Sequence, residues 1–151
     1  MTRTRRLVIG VGNPDRGDDG AGRVVAQRLR GRNGCAPEVR ECSGEATALM
    51  ETWTGFDDVV LVDACHGAGE PGSIHRFSPA ELERLASVEG RRYESTHGLG
   101  VSAAIALAHT LGTLPSALVI YAIEGGHYQD GNGLSEDVDR AVQELVALLV
   151  Q

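Results

Sequence analysis

The chain has 151 residues, of which 42% are hydrophobic, 23% charged and 4% aromatic, a size and balance that predict one globular domain spanning residues 1–151. A net charge of −7 argues against a phosphate-neutralising surface, so nucleic acid is not expected as a partner despite the opening cluster Arg3, Arg5 and Arg6. All 14 basic residues are Arg, which excludes chemistry that needs an amine, such as a Walker-A lysine, a Schiff base or a Ser-Lys dyad.

In chain order, Leu7–Val11 is a continuous apolar run closed by Gly12-Asn13-Pro14, which predicts a strand buried on both faces. The segment from Gly20 to Leu29 sets Ala21, Val24, Val25 and Leu29 on one helical face, with Asp18 or Asp19 placed to cap it or favour its N-terminus electrostatically. Pro37–Cys42 reads as a second strand and Glu45–Trp53 as a helix, while Asp58–Asp63 is apolar enough to be a central strand. Gly67–Gly72 is a loop and Ser73–Phe77 a short strand. Ser78-Pro79-Ala80-Glu81 then carries a cap, a first-turn proline and a reciprocal acid, and so starts a helix. Glu89–Glu94 is a charged surface loop, His97–Leu111 an alanine-rich helix, Ala117–Ile123 a buried strand and Ser135–Val150 a closing helix capped by Ser135. This alternation predicts a three-layer α/β domain: a mostly parallel, twisted sheet of about five strands flanked by helices, with right-handed crossovers.

Cys35, Cys42 and Cys65 are odd in number and fit no zinc-ribbon spacing, which suits a reducing compartment. The N-terminal apolar run is too short for a signal peptide, and no stretch approaches the roughly 18 apolar residues of a membrane span. A soluble, cytoplasmic protein with no membrane partner is expected.

In an open parallel sheet, ligands bind beyond the carboxyl ends of the strands, where loops diverge and helix N-termini point inward. That rule selects Asn13, Asp15, Asp18 and Asp19 beyond the first strand, Asp63, Cys65 and His66 beyond the central one, and Glu124 and His127 beyond the last, with His97 at a helix start. The turn Gly10-Val-Gly-Asn-Pro-Asp-Arg-Gly-Asp-Asp-Gly-Ala-Gly has the wrong spacing for a dinucleotide loop, and its carboxylates would repel a pyrophosphate; they suit a cation better. Asp63, at the end of an apolar strand, needs a cation or donors to offset desolvation. One imidazole and two carboxylates from three segments make an incomplete shell that nickel or zinc accepts, with room left for water or substrate. Cys65 and His66 alternate to opposite faces of a strand, so Cys65 is read as a small buried residue rather than a paired nucleophile. Gly-x-Ser-x-Gly is absent, and His75 and His109 read as structural or exposed residues.

Gly10-Val-Gly-Asn, Asp18-Asp19-Gly20-Ala-Gly22, Leu61-Val-Asp63-Ala, Gly69-Glu-Pro-Gly72 and Ser95-Thr-His97 occur in an order that resembles the hydrogenase maturation endopeptidases over nearly the whole chain. The resemblance implies a five-stranded sheet flanked by helices and removal of a C-terminal extension from the large-subunit precursor of a [NiFe] hydrogenase after nickel insertion. It assigns the metal-recognising positions to Asp19, Asp63 and His97; Asp19 and Asp63 are the candidate catalytic carboxylates, either one as general base beside the metal or both as an aspartic-type pair without it. It also implies no permanent cofactor: nickel comes with the substrate, and a divalent surrogate can take its place. Two departures stand out. Asp19 is one methylene shorter than the Glu common at that position. Cys42-Ser-Gly-Glu45-Ala-Thr places its acid later than the family's acid-glycine-threonine segment, leaving open whether Glu45 substitutes for it; the role of the Glu124–His127 segment is open too. The alternatives are a non-catalytic nickel-dependent checkpoint that binds the large subunit and, from the glycine-rich turn, a nucleotide-binding α/β module.

Overall fold

The computed structural model describes residues 6–13, 15–32, 38–66, 69–87, 94–95, 100–126 and 133–150. Six strands, β1 (Arg6–Val11), β2 (Glu38–Cys42), β3 (Asp58–His66), β4 (Ile74–Phe77), β5 (Glu94–Ser95) and β6 (Ala117–Glu124), join one sheet. Five of them lie in the order β2-β1-β3-β6-β4, and β5 pairs with the far end of β3. β1, β2, β3 and β6 are parallel; β4 runs antiparallel to β6, and β5 antiparallel to β3. The α/β architecture expected from the alternation of elements is the one found.

The helices are α1 (Ala21–Arg30), α2 (Ala46–Trp53), α3 (Pro79–Ser87), α4 (Gly100–Leu111) and α5 (Glu136–Leu149). Because side chains alternate across a strand, β3 feeds two apolar layers. Leu61 and Cys65 join Leu49, Trp53, Leu82, Ile105 and Ile120 on the face covered by α2, α3 and α4. Val60, Val62 and Ala64 join Val25, Leu29, Val142 and Leu145 on the face covered by α1 and α5. A parallel sheet buried on both sides thus divides the apolar material of one small domain into two layers.

Local chemistry sets the element boundaries. The Ser78–Glu81 capping box forms as read: Glu81 N donates to Ser78 Oγ at 3.2 Å and Ser78 N to Glu81 Oε1 at 3.1 Å. Glu45 caps α2, accepting from Thr47 N at 3.1 Å and Ala48 N at 3.0 Å. α1 buries Ala21, Gly22, Val25, Ala26 and Leu29, while Val24 sits at the edge of that face. Two readings need correction. β3 continues to His66, three residues past the expected end at Asp63, because β6 pairs with it as far as Cys65 and β5 pairs with Cys65 and His66. Ser135 holds the cap position of α5, yet its side chain makes no capping bond to that helix.

The expected loop at Glu89–Glu94 lies outside the described residues except for Glu94, which belongs to β5. Among the described residues no helix is long and apolar enough to cross a membrane.

Candidate functional site

The strand order reverses at β1, with β2 on one side and β3 on the other, so the crevice beyond the carboxyl ends of β1 and β3 is where the fold opens a ligand site. A 3-10 turn, Gly17–Gly20, crosses that end and packs against β3. Its position depends on close backbone approach. A methyl group on Gly12 would overlap the carbonyl of Asp19, and one on Gly22 would overlap those of Val62 and Val11. Gly12 therefore lets the turn lie on the end of β1, where Asn13 N donates to Asp19 O at 3.3 Å, and Gly22 lets the start of α1 press on the residue before Asp63. The segments that carry Asp19 and Asp63 are in this way held against each other.

Four acidic side chains are withdrawn from water at this rim: Asp18 and Asp63 are 0% exposed, Glu124 1% and Asp19 4%. Buried carboxylates are costly unless donors or cations meet them. Asp18 is met by protein groups: Gly126 N donates to it at 2.9 Å, Ser135 N at 2.7 Å and Ser135 Oγ at 2.9 Å. It thus ties the turn after β1 to the residue that starts α5 and to the end of β6. That corrects the reading of Asp18 or Asp19 as the cap of α1, since α1 begins from Gly20 with no side-chain cap. Asp63 Oδ1 accepts from Ala64 N at 2.8 Å.

Asp63 shares the alternating register of Leu61 and Cys65, and so belongs to the face covered by α2, α3 and α4. β5 runs antiparallel to β3 in the direction of Asp63, with Ser95 opposite Cys65. His97 follows Ser95 by two residues and precedes the first residue of α4 by three, but it lies outside the described residues, as does His127.

Beside Asp63 on the same face is a cluster that the chain-order reading did not assemble. Cys65 Sγ donates to Glu124 Oε2 at 3.0 Å, Gly69 N donates to Glu124 Oε1 at 3.1 Å, and His75 Nε2 stands 3.5 Å from Glu124 Oε2. Burial, then the hydrogen bond to Glu124 and the charges of Glu124 and Asp63, push the Cys65 thiol far above its ordinary range. It is held protonated, which agrees with reading it as a buried residue and not a thiolate nucleophile. His66 is exposed, on the opposite face, as alternation requires. His75, read as structural or exposed, is half-buried and stacked on Phe77 with ring centroids 6.1 Å apart. Its approach to Glu124 follows from the β4–β6 register, for which sequence spacing holds no signal. Glu45, the possible substitute acid, is exposed, and bonds to Thr47 and Ala48 hold its carboxyl below the usual range. A concavity of about 680 Å³ opens at the other end of the sheet, among Arg6, Asp58, Arg76, Ser78 and His109, away from the buried acids.

Residues 37–151 match the family model described as hydrogenase maturation protease, HycI. No curated protein sequence matches the chain. Among solved structures, the [NiFe] hydrogenase maturation protease HybD from Thermococcus kodakarensis superposes with a TM-score of 0.79 at 25% identity, covering 97% of this chain and 99% of that one. The [NiFe] hydrogenase maturation protease HycI from T. kodakarensis KOD1 gives a TM-score of 0.74 at 27% identity, covering 97% and 90%. The hydrogenase maturating endopeptidase HybD from E. coli shares the fold, with a TM-score of 0.75 at 21% identity over 96% and 91%. With about three quarters of its length inside that family model and its fold shared over nearly the whole chain, this protein belongs to the hydrogenase maturation protease family and is a peptidase.

Proposed function

We propose that the chain removes the C-terminal extension from the precursor of a [NiFe] hydrogenase large subunit once nickel has been inserted, and that Asp19, Asp63 and His97 recognise the substrate-borne nickel. The observation that carries this reading is the packing of the Asp19 turn against β3, the strand that carries Asp63, with both carboxylates withdrawn from water. Buried acids at a ligand-binding rim are stabilised when a divalent ion arrives. The direction of β5 toward Asp63 and the place of His97 just after it in the sequence support imidazole as the third ligand. Asp18 is engaged by Ser135 and Gly126, a role in tying the turn after β1 to the start of α5 and the end of β6, and the family resemblance assigns nickel recognition to its neighbour Asp19.

In this mechanism the nickel on the substrate docks on the three side chains and so fixes the scissile peptide bond beside them. One carboxylate, Asp19 or Asp63, takes a proton from the attacking water, and the ion polarises the carbonyl or acidifies that water. Because the ion arrives with the substrate, no resident cofactor is required and cleavage is conditional on nickel. The partner is the large-subunit precursor, and the setting is the cytoplasm.

The test is cleavage of the precursor, with and without nickel, by the wild-type protein and by His97→Ala, followed by mass. Shortening of the nickel-loaded precursor alone, lost in the variant, is the expected result. Equal cutting by His97→Ala overturns the ligand assignment, equal cutting of nickel-free precursor overturns the nickel dependence, and tight binding with no shortening favours a checkpoint that does not cleave.

A further inference from the structure

We propose that Cys65, His75 and Glu124 form a second cation site, for a thiophilic divalent ion of the zinc class, separate from the substrate-borne nickel assigned to Asp19, Asp63 and His97. One ligand atom from each residue lies within 4.8 Å of the other two. The residues come from three neighbouring strands, β3, β6 and β4, with Cys65 opposite Glu124 and His75 opposite Ala122, so the backbone that presents them is rigid.

The two separations at Glu124 Oε2 suit a tetrahedral ion. Bonds of about 2.3 Å to sulfur and about 2.0–2.1 Å to nitrogen and oxygen imply separations of roughly 3.4 Å between nitrogen and oxygen and roughly 3.6 Å between sulfur and oxygen. His75 Nε2 and Glu124 Oε2 are 3.5 Å apart, already at that distance and without hydrogen-bond geometry, and His75 Nε2 is buried with no hydrogen-bond partner among the described residues. Cys65 Sγ and Glu124 Oε2 are 3.0 Å apart because a proton bridges them. When the ion enters, that proton leaves to solvent, the thiolate bonds to the ion and the sulfur moves back by about half an ångström.

A second layer of contacts orients the ligands. Gly69 N donates to Glu124 Oε1, which fixes the orientation of the carboxylate, and Phe77 stacks on the His75 ring at an interplanar angle of 21°. Thiolate, imidazole and carboxylate together select zinc-class ions over calcium or magnesium, and three protein ligands leave a fourth position open. His75, 24% exposed, is the entrance; Cys65 and Glu124 form the floor. Occupancy would clamp the Gly69–Gly72 turn to the end of β6, since Gly72 N donates to Glu124 O and Glu124 N to Ser73 O at 2.8 and 2.9 Å.

The test uses the chelator-treated full chain carrying Asp19→Asn and His97→Ala, which disable the nickel-recognising positions, titrated with cobalt(II) as a visible probe and then with zinc. The expected result is one equivalent of cobalt with a thiolate-to-cobalt charge-transfer band that zinc bleaches. Cys65→Ser should abolish the band, Cys42→Ser should leave it, and His75→Gln should weaken binding at least tenfold. Zinc should also raise the melting temperature of the chain with His75 intact and not of the glutamine variant, a readout that needs no change at the buried positions. Absence of the band, or a band that survives Cys65→Ser in a variant that still melts cooperatively, overturns the proposal. Because precursor cleavage is not measured here, failure of this site leaves the nickel-recognition reading intact, and the converse also holds.

Discussion

Asp18 and Asp19 are adjacent, both acidic and both buried; Asp18 is bonded by Gly126 and Ser135, and the proposed nickel recognition falls to Asp19, so substituting each in turn tests folding against function. Asp18→Ala strands two backbone N–H groups and one hydroxyl, those of Gly126 and Ser135. Hydrogen bonds to a charged group are worth about 1.5–3 kcal/mol each, but their sum overstates the loss, because these donors are only partly buried and water can reach them once the carboxylate is gone. A net cost of about 3–5 kcal/mol is expected, the range for removing one partner from a buried charged network. At roughly 2–4 °C per kcal/mol for a domain of this size, the melting temperature should fall by about 6–20 °C. Asp18→Asn keeps one acceptor oxygen but turns an amide toward the donors at Oδ2, for a cost of about 1–3 kcal/mol. Asp19→Asn, isosteric and at the rim, should change stability by less than about 1 kcal/mol yet abolish precursor processing. Urea unfolding followed by the single tryptophan, the buried Trp53, measures the first quantity, and mass analysis of the precursor measures the second. Asp18→Ala within roughly 0.5 kcal/mol of wild type, the range of an ordinary surface substitution, would refute the structural role. Loss of stability in Asp19→Asn as large as in Asp18→Asn would refute the division of labour.

Gly22→Ala should destabilise by about 3 kcal/mol in urea titration, at the upper end of ordinary overpacking, because its methyl meets the Val62 and Val11 carbonyls rather than movable side chains; processing should fall as well, since α1 must retreat from β3. Ser78→Ala removes the acceptor for Glu81 N and should cost about 1 kcal/mol in the same assay. The hydrogen bond and charge of Arg28 hold the Asp139 carboxyl below its usual range, so its contribution is present at neutral pH and disappears as pH falls through the lowered folded value. Asp139→Asn should therefore flatten the stability profile below about pH 4 and cost under about 1 kcal/mol at pH 7, the pair being partly exposed and screened. The exposed Glu45 caps α2 and touches none of the buried acids, so Glu45→Gln should leave the processing rate unchanged while lowering the melting temperature.

What is local in this protein was legible from its residues. Apolar runs of strand length mark β1, β3 and β6, the Ser78–Glu81 pair reports its own helix start, and the order of elements implies the sheet, because each depends on interactions spanning only a few positions. The acidic rim was legible for the same reason: residues that follow parallel strands collect at one end of the sheet, and Asp18, Asp19, Asp63 and Glu124 are all buried there. Which acid of a neighbouring pair is consumed by folding was not legible, because the donors to Asp18 lie 108 and 117 residues away, on Gly126 and Ser135. Nor was the meeting of Cys65, His75 and Glu124, which exists only because β4 turns back antiparallel along β6 in one register. Side-chain sequence sets what each strand and helix is; register and long-range donors, fixed only when both layers close on the sheet, set which side chains each buried acid meets.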